Sequence, residues 1–321
     1  MEGHSRKKVL LDVDTGVDDA IGIIIAATAP EIQLMGITTV SGNIDLASAT
    51  INTLRVLKLL GKSGQYPVHM GASSPLKRPV RYATEVHGKT GLSGQLQDLP
   101  VELPRETSAE DFMIDTIDRH PGEITLILTA PHTNFAKALE KRPDLGEKLG
   151  EIIFMGGVAE GRGNESPRGE FNIAIDPEAA DRVLNCGAKI TMVGLDVTKK
   201  ALLRRKDLET LDSGNPVVNF VKLVTADYMN RYHQTHGEYA CLMHDPLAVS
   251  VAIDPSLVTT AHHFVAVETE STYCDGETVC DFNGYFQEPP NVHVALELNQ
   301  QQFIFFLLNR IKKAGADLET H

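Results

Sequence analysis

Four aspartates fall within eight positions near the start of the chain: Asp12, Asp14, Asp18 and Asp19 in the segment "VLLDVDTGVDDAIGI". Four negative charges so close together repel one another, and a folded chain keeps them for a reason. Helix capping explains one carboxylate, Asp18 or Asp19, at the start of the apolar helix that follows. It does not explain Asp12 and Asp14, which alternate at the end of an apolar strand. Because no Cys or His is close in the sequence, the pattern favours a hard, oxygen-preferring cation such as Ca2+ or Mg2+.

Three other acidic or phosphate-binding motifs can be compared with this segment. An EF-hand loop starting at Asp12 needs an acidic or amide residue at its fifth position, where Gly16 stands. A dehalogenase-type phosphatase shares the Asp-x-Asp at a strand end, but usually has Thr or Val two residues after the second Asp, where Gly16 stands here. The phosphate-binding loop G-x-x-x-x-G-K-S/T does not occur. A magnesium-dependent phosphatase using Asp12 and Asp14 stays open as a minor alternative.

Strand-like and helix-like segments alternate through the first two thirds of the chain. The apolar strand "KKVLLDV" precedes the helix-like "DDAIGIIIAATAP", and "IQLMGITTV" precedes "DLASATINTLRVLKLLGK". Repeated β-then-α units predict an α/β protein with an open, mostly parallel, doubly wound sheet and a Rossmann-like core. In such a sheet, ligands bind at the carboxyl ends of the strands, which is where the aspartates fall.

The last third of the sequence adds further elements to this core. Residues 205–255 have a mainly helical pattern, and the end returns to strands ("HHFVAVE", "NVHVALEL") and a closing helix. No linker or repeat divides the sequence, so we expect one domain over residues 1–321 with added C-terminal helices and strands. Residues 73–107 and 156–170 form long polar loops, and loops of that length tend to be functional lids.

Composition narrows the classes of partner and the cell compartment. The formal net charge is −13 with no basic run, which argues against a nucleic acid or an anionic membrane as partner. The basic cluster Arg6–Lys8 is followed by only three apolar residues before Asp12, unlike a signal peptide. We therefore expect a cytoplasmic protein whose four cysteines are free thiols, including Cys274 and Cys280, which could otherwise pair across a hairpin.

The segment "DVDTGVDDA" resembles the N-terminal signature D-x-D-x-G-x-D-D-A of the inosine–uridine preferring nucleoside hydrolase family. Four further stretches are similar to that family and occur in its order: "TTVSGN", "LTAPHTN", "MGG…GN…EFNIAIDPEAA" and "HDPLAV". Together they run from residue 12 to residue 251. The resemblance implies the nucleoside hydrolase fold, a ribonucleoside substrate, a Ca2+ cofactor and a homodimer or homotetramer.

Residue by residue, the resemblance implies a calcium ion held by Asp14, Asp19, Asp245 and the backbone carbonyl of Thr129. The ion would bind the ribose 2′- and 3′-hydroxyls and a water from which Asp14, the general base, takes a proton. His244 matches the acid that assists the leaving base. The remaining positions would contact the substrate: Asp18, Asn43, His87, Asn164, Glu170, Asn172, Tyr228 and Tyr232. Asp12 would hydrogen-bond or orient the metal ligands without binding the ion itself.

Each of these residues also has an ordinary structural interpretation. Asp245 before Pro246 could be a helix N-cap followed by proline, and for Asp176 before Pro177 we keep that interpretation. Tyr228 and Tyr232 are four residues apart on a predicted helix, a spacing that is commonly core packing. Loop positions such as Asn164, Glu170 and Asn172 could be plain loop polarity. Only their joint order and spacing with the aspartate cluster favours a site.

The sequence departs from the family pattern in three respects. Ala130 and His132 stand where the family commonly has Gly and Leu, which we expect to alter packing and leave the Thr129 carbonyl in place. Thr90 replaces an Asp in the loop "VHGKTGLSG", which weakens the prediction for His87. The chain has no tryptophan. Since the purine-specific subclass stacks its base between indole rings, we expect activity on both purine and pyrimidine nucleosides.

Besides the minor phosphatase alternative, the sequence leaves two functions to compare. The leading hypothesis is calcium-dependent hydrolysis of the N-glycosidic bond of inosine, uridine and similar ribonucleosides to ribose and free base. Its transition state places positive charge on the ribose ring, which nearby carboxylates and amide oxygens stabilise. The alternative is a catalytically silent ribose- or nucleoside-binding protein of the same fold, which would need neither the base Asp14 nor the acid His244.

Overall fold

The computed structural model describes residues 6–316, in which nine strands form one sheet and two short strands form a second. The strands are β1 (Lys7–Val13), β2 (Ile32–Thr39), β3 (Val68–Met70), β4 (Ile124–Leu128), β5 (Glu151–Met155), β6 (Ile190–Val193), β7 (Leu202–Arg204), β8 (Ala240–Leu242), β9 (Val258–Val267), β10 (Thr278–Asp281) and β11 (Val292–Leu298). The large sheet has the order β10-β9-β11-β6-β5-β4-β1-β2-β3.

The helices cover this sheet. They are α1 (Val17–Thr28), α2 (Leu46–Leu59), α3 (Thr84–His87), α4 (Ala109–Arg119), α5 (Thr133–Lys141), α6 (Phe171–Ile175), α7 (Pro177–Leu184), α8 (Leu195–Thr198), α9 (Arg205–Glu209), α10 (Pro216–His236), α11 (His244–Ile253) and α12 (Gln300–Ala316), with 3-10 turns at Pro143–Lys148 and Pro255–Leu257. No helix of the described chain is both long enough and apolar enough to cross a membrane.

The order of the strands reverses beside β1. From β1 the chain builds β2 and β3 on one side, and then returns to place β4, β5 and β6 on the other. All these neighbours pair in parallel, whereas β9 pairs antiparallel with β10 and β11. The carboxyl ends of β1 and β4 therefore flank a topological switch point, the position where open α/β sheets bind ligands.

Helix α1 is buried on all sides because other helices surround it. Its residues Val17–Ala27 are all buried, and it packs against α2, α11 and α12. A helix with no polar face suits this central position, which explains the run of isoleucine and alanine. Gly16 is its N-cap, and the Asp19 carboxylate accepts the Gly16 N–H at 2.9 Å. Asp18 and Asp19 thus lie in the first turn of α1 and neither is its N-cap.

The α/β doubly wound fold predicted from the sequence is confirmed, including the C-terminal helices and strands. All four cysteines are free thiols, as expected. Several local features were not predicted, among them the edge strands β3 and β10, the small sheet β7–β8, and helix α3 inside the loop 73–107. The N-cap interpretation of Asp245 is wrong, because α11 begins at His244 after its N-cap Met243, which leaves Asp245 inside the first turn. Asp176 does cap α7, accepting the Ala179 N–H.

Candidate active site

Five buried aspartates gather at the switch point. Asp12 ends β1, Asp14 follows it, Asp18 and Asp19 open α1, and Asp245 opens the neighbouring α11. These five residues are at most 4% exposed. Two segments 227 residues apart are joined here, with the Asp245 N–H pointing at Asp18 Oδ2 at 3.5 Å. The fold therefore brings together the N-terminal cluster and the later "HDPLAV" motif, as the sequence predicts.

Three of these carboxylates are placed to share one cation. Asp18, Asp19 and Asp245 each offer an oxygen, and these oxygens lie within 4.8 Å of one another. Asp14 contacts Asp19 but lies outside that group of three. The carbonyl of Thr129 accepts the Asn172 side-chain N–H at 3.1 Å. The assignment of Asp14 and Thr129 as ligands stays a prediction.

The carboxylates raise one another's pKa values. Burial, and then the charge of Asp19, raises the pKa of Asp14 well above its ordinary value. The same two causes raise the pKa of Asp18 to about 7. Burial and the charges of Asp18, Asp19 and Asp14 raise the pKa of Asp245. A divalent cation would relieve both causes, because it replaces lost hydration and offsets the repulsion. An all-oxygen donor set suits Ca2+ or Mg2+.

Asn43 fixes the orientation of Asp14. Its backbone N–H donates to Asp14 Oδ2 at 2.6 Å, and its side-chain amide donates to Asp14 Oδ1 at 2.9 Å and to Asp19 Oδ2 at 3.1 Å. Gly42 makes this approach possible, since a Cβ at that position would lie 2.0 Å from Asp14 Oδ2. The "SGN" part of the second motif therefore supplies a glycine for clearance and an asparagine for orientation.

Asp12 supports the site by tying strand ends together. Its Oδ1 accepts hydrogen bonds from Thr38 Oγ1 at 2.6 Å and from Asn134 Nδ2 at 2.8 Å. Asn134 also donates to the Thr39 carbonyl and accepts the Ala72 N–H. Sequence analysis gave no role to Thr38 or Asn134. Both lie inside the motifs "TTVSGN" and "LTAPHTN". A polar side chain beside an apolar strand was the feature of the sequence that could have indicated their role.

A cavity of about 440 Å³ opens beside the aspartates. Its lining includes most of the predicted site, namely Asp18, Asn43, His87, Thr129, Asn164, Glu170, Asn172, Tyr228, His244 and Asp245. Both predicted lid loops contribute to the lining, through α3 and through Asn164 and Glu165. Sequence analysis missed other lining residues, among them Tyr82, Glu85, Leu195, Lys199 and Leu242.

The side chains of α6 form one wall of the cavity. Glu170 is the N-cap of α6 and accepts the Gly157 N–H at 3.0 Å, and burial raises its pKa to about 7. Asn172 donates to the carbonyls of Thr129 and Met155, at 3.1 Å each. Asn164 accepts the Phe171 N–H at 2.9 Å. This wall presents carboxylate and amide oxygens, which suits a ligand rich in hydroxyls.

Histidines and a tyrosine form another wall. His244 Nδ1 lies 2.8 Å from Thr198 Oγ1, and burial followed by the charge of Lys199 lowers the pKa of His244 to about 4. His87 Nδ1 accepts the Val17 N–H at 3.1 Å, and burial lowers the pKa of His87 to about 3. Both rings are therefore neutral near pH 7.

Tyr232 is the one predicted substrate contact that lies outside the main cavity. Its ring stacks on His236 with centroids 4.1 Å apart, and it lines an adjoining groove shared with Tyr228 and Lys199. Tyr228, one turn earlier on α10, does line the main cavity and is partly buried, and burial raises the pKa of its phenol. Both tyrosines therefore line the adjoining groove, and of the two only Tyr228 also lines the main cavity.

The fold and the site together define an α/β protein with an acidic, oxygen-lined cavity at the carboxyl ends of its strands, and similar proteins identify the family. The family model described as "Inosine-uridine preferring nucleoside hydrolase" matches residues 9–304. The chain is 38% identical to the pyrimidine-specific ribonucleoside hydrolase RihA of Citrobacter koseri over 306 residues, covering 94% of this chain and 97% of that protein. This protein belongs to the inosine-uridine preferring nucleoside hydrolase family, and is therefore an enzyme that hydrolyses ribonucleosides.

Solved structures agree with this assignment. The plant nucleoside hydrolase PpNRh1 superposes with a TM-score of 0.91 at 34% identity, covering 96% of this chain and 99% of that chain. A purine-preferring ribonucleoside hydrolase from Gardnerella vaginalis superposes with a TM-score of 0.89 at 33% identity, with the same coverage. The family resemblance read from the five motifs is confirmed. The names of these relatives include both pyrimidine-specific and purine-preferring enzymes.

Proposed function

We propose that this protein hydrolyses the N-glycosidic bond of purine and pyrimidine ribonucleosides to ribose and free base in a calcium-dependent reaction. The observation that carries the proposal is the presence of five buried aspartates beside a cavity that is lined by two chemically different groups of side chains. One wall, around Glu170 and Asn172, offers oxygens suited to ribose, and the other, around His244 and Tyr228, offers rings suited to a base.

Asp14, Asp19, Asp245 and the Thr129 carbonyl would hold the Ca2+. The fit rests on the raised pKa values of the three buried carboxylates and on a donor set made of oxygen alone. When bound, the cation supplies positive charge that lowers the pKa of the attacking water and orients the ribose diol. Asp18 and Asn43, which line the cavity next to these groups, would hydrogen-bond the ribose hydroxyls.

Asp14 acts as the general base in this proposal. Water attacks the anomeric carbon, its oxygen forms the new C1′–O bond, and its proton passes to an Asp14 oxygen. Asn43 holds both oxygens of that carboxylate, so the base is oriented before the substrate binds. The C1′–N bond breaks with its electron pair going to the base.

Two groups of side chains stabilise the charges that develop as this bond breaks. Positive charge on the ribose ring lies near Glu170, Asn164 and Asn172, whose oxygens stabilise an oxocarbenium-like transition state. Negative charge on the departing base is stabilised by a hydrogen bond from the N–H of the neutral His244 imidazole, and the released base takes its proton from solvent. His87 and Tyr228 would contact the base beside it.

Release of reducing sugar from uridine, cytidine, inosine, adenosine and 2′-deoxyuridine tests the proposal. We expect ribose from the ribonucleosides, and loss of at least about 100-fold in kcat for Asp14→Ala because the general base is removed. Asp227→Ala, on the exposed face of α10, is the matched control and should keep wild-type activity. We expect 2′-deoxyuridine to be a poor substrate, since it lacks one hydroxyl of the diol.

Calcium dependence is tested in the same assay. Activity should be lost on treatment with a chelator and return on addition of Ca2+. Equal turnover of 2′-deoxyuridine and uridine would contradict the diol arrangement. Full activity in a verified metal-free preparation would contradict the role of the cation.

A further inference from the structure

The imidazole of His244 has one hydrogen-bond partner within residues 6–316, the hydroxyl of Thr198. Thr198 Oγ1 lies 2.8 Å from His244 Nδ1, across 46 positions of sequence. Thr198 ends α8, the short helix that follows β6, and its side chain is fully buried. It does not line the cavity, so it contacts the site only through His244.

The surroundings of Thr198 determine the direction of this hydrogen bond. A buried hydroxyl needs an acceptor for its hydrogen. Buried threonines in helices often donate to the carbonyl four residues earlier, as Thr50 and Thr225 do here. Thr198 makes no such side-chain bond in the described chain, and His244 Nδ1 is the acceptor within reach. The hydroxyl therefore donates to Nδ1.

A neutral imidazole that accepts a hydrogen bond at Nδ1 carries its own hydrogen on Nε2. Because Nδ1 is held by α8, Nε2 is the ring nitrogen left for a ligand in the cavity that His244 lines. We infer that Thr198 is a positioning residue that fixes His244 as the Nε2–H tautomer, with that N–H available to the leaving base. The inference rests on the proposed function, in which His244 donates this N–H hydrogen bond to the leaving base.

The opposite tautomer would disable the step without moving the ring. With its hydrogen on Nδ1, His244 would present a lone pair to the departing base, and two electron-rich nitrogens would repel each other. The binding of ribose and the attack of water, which depend on other residues, would be preserved. The predicted signature is therefore a loss of kcat whose size depends on how strongly the leaving group needs a hydrogen bond from His244.

Two substrates whose leaving groups differ in this need distinguish the two tautomers of His244. Uridine releases a basic nitrogen anion that needs a hydrogen, whereas 4-nitrophenyl β-D-ribofuranoside releases 4-nitrophenolate, a stable anion that departs unaided. For Thr198→Val, which keeps the shape and removes the hydroxyl, the ratio of kcat on uridine to kcat on the nitrophenyl riboside should fall about 10- to 100-fold. Thr198→Ser retains the hydroxyl and should stay within about threefold of the wild-type ratio, well short of the factor expected for a lost acid step.

Two controls identify other causes. Thr225→Val removes a buried hydroxyl from α10 with no contact to His244, so its ratio should equal the wild-type ratio. His244→Ala removes the hydrogen donor itself and should lower the ratio at least as far as Thr198→Val. Because both substrates are measured in one preparation, a fraction of unfolded enzyme lowers both rates and leaves the ratio unchanged.

The outcomes distinguish the two proposals. If the wild type cleaves neither substrate, the proposed function itself fails. If the wild type cleaves both and Thr198→Val lowers both rates equally or neither, the positioning role is overturned while the hydrolase stands. A direct readout is the nitrogen NMR spectrum of labelled His244, where Nε2 should show the shift of a protonated nitrogen in the wild type. A protonated Nδ1 in the wild type would overturn the inference.

Discussion

Replacing His132 with leucine should stabilise the protein, and should do so more at acid pH. His132 precedes α5, is fully buried, and packs edge-on against Phe154 with ring centroids 4.8 Å apart. Neither ring nitrogen has a hydrogen-bond partner in the described chain. Burial lowers the pKa of this imidazole from 6.5 to about 3. The folded protein thus keeps His132 neutral at pH values where the unfolded chain protonates it.

The sign and size of the effect follow from this difference in pKa. Between pH 6.5 and about 3, the unfolded state binds a proton that the folded state does not, so the imidazole lowers stability as the pH falls. Each pH unit below 6.5 is worth about 1.4 kcal/mol, which gives about 2 kcal/mol at pH 5. At pH 7.5 this contribution vanishes, and His132→Leu should still gain about 1–3 kcal/mol because an unsatisfied buried polar group is removed.

Urea unfolding followed by circular dichroism measures both quantities, since the chain has no tryptophan to report by fluorescence. The stability difference between His132→Leu and the wild type should be about 2 kcal/mol larger at pH 5 than at pH 7.5. His262→Leu, at an exposed position on β9, is the control and should change stability by less than about 0.5 kcal/mol at either pH. An equal difference for His132→Leu at both pH values would refute the reasoning.

Two further predictions concern the supports of the active site. Gly42→Ala should lower kcat about 100-fold and lower the stability by about 1–3 kcal/mol, since its Cβ would lie 2.0 Å from Asp14 Oδ2 and 2.8 Å from Pro131 Cδ. Turnover of uridine at the wild-type rate would contradict this. Arg78, near the start of the loop 73–107, pairs with both Glu178 and Asp275. Because this loop lines the cavity, Arg78→Met should raise KM about three- to tenfold and change kcat less. Steady-state kinetics measures both quantities. Arg119→Met, which breaks an exposed ion pair within α4, is its control.

The sequence was sufficient for the fold because its signals are local. Alternating apolar strands and capped helices predicted a parallel sheet, and the aspartates at the end of β1 predicted a site at the edge of the sheet where the cavity lies. Features that depend on tertiary contacts were less accessible. Asp245 before Pro246 has the local pattern of an N-cap, yet helix α11 starts one residue earlier, and Asp245 joins the aspartate cluster instead.

The supporting residues show the same limit more sharply. Thr38, Asn134 and Thr198 form side-chain hydrogen bonds with Asp12, Asp12 and His244, which lie 26, 122 and 46 positions away in the sequence, respectively. Each is a common polar residue in an apolar setting, and no spacing rule marks it. What identifies them is a hydrogen bond to a side chain that is distant in the sequence, and only coordinates supply that information.

Function and stability are coupled at the carboxylate cluster. Backbone donors offset part of the cost of burying it: Asp19 accepts the Gly16 N–H at the start of α1, and Asp14 accepts the Asn43 N–H. The raised pKa values of Asp14 and Asp245 indicate that these donors do not offset it fully. A bound cation removes the remaining repulsion only in the folded state, where the carboxylates converge. The groups that would hold the cation for catalysis therefore also make the folded state more stable when it binds.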